Sequence, residues 1–69
     1  MRYVEFRDAI QQELSRRRKG WTWKELRDRL DLPYDRPCAT WVGRLEQEIG
    51  LMRAPGEGRA FVWTLGRRG

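Results

Sequence analysis

The chain has 69 residues, a net charge of +5 and a pI near 10.3, with no histidine and one cysteine, Cys38. A chain this short is expected to form one domain with a small core, and without histidine or a second cysteine it cannot build an intrachain disulfide, a cysteine- or histidine-based zinc site or a catalytic histidine. No apolar run approaches the roughly 20 residues of a membrane helix, so we expect a cytoplasmic, non-enzymatic protein with no metal, no cofactor and no membrane segment.

The first predicted helix covers residues 3–18. Its apolar side chains recur every three or four residues, which places them on one helix face: Tyr3, Phe6, Ile10 and Leu14. Gly20 is a typical helix stop, and the basic run 16–19 lies where the negative end of the helix dipole favours cations. The same run is equally compatible with a contact to nucleic acid.

A second helix is predicted over residues 22–30. Thr22 and Glu25 have the Ser/Thr-x-x-Glu spacing of a capping box, in which each side chain accepts a hydrogen bond from the other residue's backbone N–H. Trp21 lies directly before this cap and is compatible with a strand of one or two residues.

The third predicted helix runs over residues 37–49, after a connection that contains two prolines. Pro37 suits a first helical turn, with Asp35 or Arg36 as the cap. The predicted apolar face consists of Cys38, Trp41, Val42, Leu45 and Ile49.

The opposite face of this helix presents Arg36, Thr40, Gly43 and Gln47, with Ala39 on one flank and Arg44 on the other, and these residues are mostly small or able to hydrogen-bond. Arginine can bond guanine, glutamine can bond adenine, and threonine offers a hydroxyl or a methyl group. Gly43 costs about 1 kcal/mol relative to alanine in a helix, which favours either close approach of the backbone to another surface or packing against a neighbouring helix. Glu48 lies four residues after Arg44, so the two could pair and partly neutralise that arginine.

A β-hairpin is predicted at residues 51–65, with strands 51–54 and 59–65 around a Pro-Gly turn. Its strands alternate, so that Phe61, Trp63 and Leu65 share a face that is expected to lie on the helices. Arg53 and Arg59 flank the turn, and Glu57 lies at its tip.

This order of elements resembles a winged helix-turn-helix domain along essentially the whole chain. The residues that carry the resemblance are Thr22-Trp23-Lys24-Glu25-Leu26 with Leu30-Asp31-Leu32, Leu45-Glu46-Gln47-Glu48-Ile49-Gly50-Leu51, and Gly56-Glu57-Gly58-Arg59. They are similar to the family's T-x-x-E-L and L-x-L segment, its L-E-x-x-G-L segment and its glycine-rich wing tip. The resemblance implies an α+β fold with three helices and a two-stranded C-terminal wing, in a single domain over residues 1–66 that is followed by a basic tail, 67–69.

The resemblance also implies sequence-dependent binding of double-stranded DNA, as in a small transcriptional regulator. Helix 37–49 would lie in the major groove and hairpin 51–65 would be the wing. Base contacts would come from Arg36, Thr40, Arg44 and Gln47, with Gly43 permitting approach. Phosphate contacts would come from Thr22, Trp23, Lys24, Arg53 and Arg59. The chain shows no further helix for pairing, and a monomer would bind DNA weakly.

Two other functions stay open. Winged-helix folds also serve as protein-interaction modules, and the acidic Glu46, Glu48 and Glu57 favour such a partner over phosphate. An exposed tryptophan would favour it too. Single-stranded DNA or RNA could instead stack on tryptophans, although three of the four lie on predicted core faces.

Overall fold

A computed structural model of the chain describes residues 1–56, 58 and 60–66. The elements in chain order are helix α1 (Tyr3–Arg16), strand β1 (Trp21–Thr22), helix α2 (Trp23–Leu30), helix α3 (Ala39–Glu48), strand β2 (Leu51–Pro55) and strand β3 (Phe61–Leu65). The strands form one antiparallel sheet in the order β1-β3-β2. The predicted α+β class is confirmed, and so is the short strand at Trp21. No helix in the described part of the chain is long and apolar enough to cross a membrane.

The core draws apolar side chains from all three helices and from the hairpin. Its buried members are Tyr3, Phe6, Ile10, Leu14, Leu26, Leu32, Val42, Leu45, Ile49, Leu51 and Trp63. Trp63 is the largest of the fully buried side chains and lies on the central strand β3. An aromatic ring of this size removes a large apolar area from water, so Trp63 joins the sheet to the helices.

Helix α1 ends at Arg16, two residues earlier than predicted. The chain leaves the helix through Arg17, whose backbone is extended, and turns at Gly20 with a φ of 81°. A Cβ atom at Gly20 would overlap the carbonyl oxygen of Trp63. The early stop follows from this close approach, because the chain must turn before it can pair β1 with β3.

The capping box of α2 is confirmed. The Thr22 hydroxyl accepts a hydrogen bond from the Glu25 backbone N–H at 3.2 Å, and the Glu25 carboxylate accepts one from the Thr22 backbone N–H at 2.9 Å. This hydrogen bond from the Thr22 backbone lowers the pKa of Glu25. The helix therefore begins where the local sequence predicts.

The predicted start of α3 is wrong. The helix covers Ala39–Glu48 rather than 37–49, and Cys38, with an extended backbone, is its N-cap. Asp35 and Arg36 therefore do not cap it, and Pro37 lies outside its first turn. A proline disfavours helical angles in the residue before it, here Arg36. The chain stays non-helical through Pro37 and Cys38 before the helix begins at Ala39.

The apolar face of α3 is confirmed over Val42, Leu45 and Ile49, which are buried. Trp41 is partly buried against the same core. Cys38 was predicted on this face but is exposed, because it precedes the helix and does not follow its 100° periodicity.

The hairpin pairs Leu51 with Leu65 at its base and Pro55 with Phe61 at its far end. Strand β3 begins at Phe61, and the predicted strand residue Arg59, the tip residue Glu57 and the tail 67–69 lie outside the described residues. Phe61 was expected to pack on the helices but is 51% exposed. It lies two residues, or about 7 Å, beyond Trp63 along the strand, which is past the edge of the core.

Candidate nucleic-acid interface

The exposed face of α3 carries three of the predicted base-contact residues. Thr40, Arg44 and Gln47 are exposed, and Gly43 lies between them, half-buried. A Cβ atom added at Gly43 would meet none of the described atoms within 4 Å. The suggestion that this glycine permits packing against another helix is therefore wrong, and the backbone of α3 is open to the surface at this point.

Arg44 is held against α1. Its Nε donates a hydrogen bond to Glu48 Oε2 at 3.1 Å, and its guanidinium carbon lies 3.9 Å from the centroid of the Tyr3 ring. The Nη1 atom of Arg7 donates to the other carboxylate oxygen of Glu48 at 2.8 Å. The predicted pairing of Arg44 with Glu48 is confirmed, so this arginine does not point freely away from α3.

The charges around Glu48 shift two pKa values in opposite directions. The hydrogen bond from Arg7, followed by the one from Arg44, lowers the pKa of Glu48. Burial, followed by the negative charge of Glu48, raises the pKa of Tyr3. The carboxylate therefore stays ionised and the phenol stays neutral, which maintains the attachment of Arg44 to α1.

Arg36 was predicted on the exposed face of the third helix, but it lies in the preceding connection. Its side chain is exposed, and no carboxylate of the described residues forms an ion pair with it. Any contact that it makes with a ligand comes from a loop three residues before α3 rather than from the helix surface.

A cleft opens between the start of α2, the segment before α3 and the β2–β3 hairpin. We call it the hairpin cleft, and its volume is about 220 Å³. It is lined by Thr22, Trp23, Lys24, Pro37, Arg53, Ala60, Phe61 and Trp63. Residues that the sequence assigns to phosphate contact thus come together from two separate elements, the α2 start and the hairpin.

The hairpin cleft combines cations with aromatic rings. Lys24 and Arg53 are exposed, and no carboxylate of the described residues pairs with either. The guanidinium carbon of Arg53 lies 5.8 Å from the ring centroid of Phe61 and 6.0 Å from that of Trp63. Stacking on an aromatic ring leaves the in-plane N–H donors of arginine available for an anion.

Phe61 is the residue of the hairpin cleft that the sequence assignment missed. Strand alternation correctly placed it on the same face as Trp63, but alternation does not show where a core ends. The proximity of Phe61 to the turn was a usable signal, because the end of a two-stranded hairpin projects beyond a small core. The predicted wing residue Arg59 lies outside the described residues.

A second, larger cavity lies beside the start of α3 and has a different character. We call it the apolar cavity; its volume is about 320 Å³ and its lining is Met1, Phe6, Trp23, Tyr34, Cys38 and Trp41. None of these lining side chains is a cation or a carboxylate. Backbone N–H groups of Trp41 and Thr40 lower the pKa of the exposed Cys38 thiol. The lining side chains suit an apolar group and carry no positive charge for a phosphate.

The four tryptophans are engaged with the protein. Trp63 is buried and the other three are half-buried. The indole N–H of Trp21 donates to the carbonyl of Glu13 at 3.2 Å, and that of Trp23 donates to the carbonyl of Asp35 at 3.0 Å. The exposed tryptophan that would favour a protein partner is therefore absent, since all four lie within the described residues.

Comparison with known proteins identifies no relative of this chain: no family model, no curated protein and no solved structure matches it. Within the described residues, no three histidine, cysteine, aspartate or glutamate side chains gather where they could hold a metal ion. The functional assignment therefore depends on the residues and their geometry.

Proposed function

We propose that the chain is a winged helix-turn-helix domain that binds double-stranded DNA in a sequence-dependent manner, as a small transcriptional regulator or DNA-binding module. In this proposal α3 enters the major groove and the β2–β3 hairpin is the wing. The order of three helices, a short strand and a C-terminal hairpin supports the fold assignment.

The convergence of Lys24 and Arg53 in the hairpin cleft is the observation that carries the proposal. The two cations come from different elements, line one cleft and have no carboxylate partner among the described residues. Phosphate contacts supply much of the affinity of DNA-binding proteins and set their orientation on the duplex. A cleft with two available cations beside the entry to α3 is suited to that role.

The exposed face of α3 offers polar groups for base edges. Gln47 can bond adenine, Thr40 can offer its hydroxyl to a base edge or its methyl group to a thymine methyl, and Gly43 leaves the helix backbone accessible. The contacts of Arg44 with Glu48 and Tyr3 compete with a contact to guanine. Exposed ion pairs are worth about 0.2–1 kcal/mol and a bidentate arginine–guanine contact about 1–3 kcal/mol, so a correctly placed guanine can displace Glu48.

Fluorescence anisotropy of a labelled blunt duplex, titrated with the protein at several salt concentrations, tests the proposal. We expect the logarithm of the association constant to fall linearly with the logarithm of salt concentration, with a slope of about −0.9 per phosphate contact. Lys24→Gln reduces that slope by about one unit. Arg2→Gln removes the same charge from a residue that lines neither cavity and is the matched control. Failure to bind any duplex at low salt would contradict the proposal.

A winged-helix protein-interaction module is the second candidate, and the apolar cavity favours it. Met1 lines that cavity and is an exposed apolar side chain, so it would extend a contact surface from the cavity. Chemical-shift mapping separates the two functions. A protein partner on this surface would shift the amides of Tyr34 and Trp41, whereas duplex DNA would shift those of Lys24 and Arg53.

A further inference from the structure

Phe61 is a large aromatic side chain that the core does not use. It is 51% exposed at the start of β3, and it lies on the same face of the sheet as the buried Trp63. Its ring therefore faces the hairpin cleft instead of the outer surface of the sheet. Burial explains every tryptophan in this chain at least in part, but it leaves half of the Phe61 surface without a role.

The surroundings of Phe61 favour an anionic, flat ligand. Arg53 lies over the ring at 5.8 Å, and Lys24 lines the same cleft from α2. A nucleotide combines a π-face, which stacks on aromatic side chains, with a phosphate, which pairs with cations. An apolar protein side chain would fill the cleft without satisfying either cation.

The size of the hairpin cleft limits the ligand further. At about 220 Å³ it lies below the roughly 300–1,000 Å³ of pockets for drug-sized ligands, so it suits a single base better than a whole cofactor. Away from the ends of an intact duplex, every base is stacked on both neighbours and offers no free face. There, only a base that has left the stack can lie flat on Phe61.

We propose that the hairpin cleft binds an unpaired nucleotide, with its base stacked on Phe61 and its phosphate held by Arg53 and Lys24. This inference rests on the proposed function, because it requires that the hairpin side of the molecule faces DNA. It adds a preference for one class of DNA: a duplex that carries a single-stranded extension binds more tightly than the same duplex with blunt ends.

The experiment compares a short blunt duplex with the same duplex carrying a single-stranded thymidine extension. The extension is placed at the 5′ end of one strand in one duplex and at the 3′ end in another. Binding of both is measured by anisotropy with the full chain. We expect the extended duplex to bind about tenfold more tightly, which corresponds to the stacking of one base. A 2-aminopurine placed in the extension is expected to lose fluorescence on binding as it stacks.

Three variants connect this preference to the ring. Phe61→Ala removes the preference for the extension, so that the extended duplex binds no more tightly than the blunt duplex. Phe61→Leu keeps apolar bulk without a flat π-face and is expected to behave like Phe61→Ala. Phe61→Tyr keeps the ring and retains the preference.

Each contrary result has a distinct meaning. Equal affinity for blunt and extended duplexes overturns the inference and leaves the proposed function standing. An equal loss of both affinities in Phe61→Ala also overturns it, because Phe61 would then be a general duplex contact. Failure of both duplexes to bind at low salt overturns the inference and the proposed function together.

Discussion

The exposed face of α3 and the hairpin cleft both carry arginine, but the two arginines are in different electrostatic states. Arg44 on α3 is paired with Glu48 and packed on Tyr3, whereas Arg53 in the cleft lies near the rings of Phe61 and Trp63 and pairs with no carboxylate of the described residues. The position of a cation on the correct face therefore does not establish that its charge is available. In this chain the hairpin cleft supplies available charge, and α3 supplies shape and hydrogen-bonding groups.

Removing the two cleft cations is expected to have the largest effect. The double variant Lys24→Gln with Arg53→Gln loses two phosphate contacts, so duplex affinity falls on the order of a hundredfold at about 0.1 M salt, and the salt slope changes by about two units. The loss is the same for every duplex sequence. Arg44→Gln, measured in the same anisotropy assay, costs less and affects some sequences more than others. An equal, sequence-independent loss in the two proteins would remove the distinction between the regions.

Gly43→Ala separates folding from binding on α3. The added methyl meets no described atom, and alanine is favoured over glycine in a helix by about 1 kcal/mol, so thermal unfolding is expected at a higher temperature. Duplex affinity is expected to fall several-fold if the α3 backbone approaches DNA closely. Gln47→Ala, on the same face, removes a polar group without adding bulk, so it tests the hydrogen-bonding role of this face separately. Unchanged affinity in Gly43→Ala would show that α3 does not approach the DNA at this residue.

Glu48→Gln tests whether the α3 arginine is held back by its partner. Without the carboxylate, Arg44 is released, and we expect duplex affinity to rise about twofold to fivefold, in line with the weakness of exposed ion pairs. The rise should disappear when Arg44→Gln is added in the same chain, as a double-mutant cycle measures. A gain that persists in the double variant would assign the effect to net charge.

The smallest expected effect is on acid stability. The pKa values of Glu48 and Glu25 are lowered in the folded chain. Each ionised carboxylate therefore stabilises the fold at a pH above its unfolded pKa of about 4.3. This stabilisation is lost as the pH falls through the lower pKa of the folded chain. Urea unfolding between neutral pH and pH 3 measures this loss. Glu48→Gln and Glu25→Gln should each flatten the curve, the first through the α3 ion pairs and the second through the α2 cap. A variant with the same pH dependence as the parent chain would refute the contribution of that carboxylate.

The elements that the sequence predicts well depend on local interactions. The start of α2 follows from Thr22 and Glu25, which are three residues apart, and the buried stripe of α1 follows from its spacing. The start of α3 was misplaced because Pro37 permits a helical turn but does not require one. The residue at which α3 begins depends on how the connection 31–38 packs, and no short-range sequence pattern describes that packing.

In the candidate site, too, the sequence predicts the features that depend on local spacing and misses those that depend on tertiary packing. Helical periodicity placed Thr40, Gly43 and Gln47 on the exposed face, and the spacing of four residues anticipated the pair of Arg44 with Glu48. The second partner of that carboxylate, Arg7, comes from another helix, 41 residues away in the chain. The hairpin cleft and the exposure of Phe61 also depend on tertiary packing, so they emerge only when the elements are assembled.

Amide chemical-shift mapping with a blunt duplex tests the central claim most directly, because it reports both regions in one titration. We predict that Lys24 and Arg53 in the hairpin cleft shift together with Thr40, Gly43 and Gln47 on α3 at low salt, and that added salt reverses all of these changes. Shifts confined to the residues around the apolar cavity, or no shifts at low salt, would contradict the account.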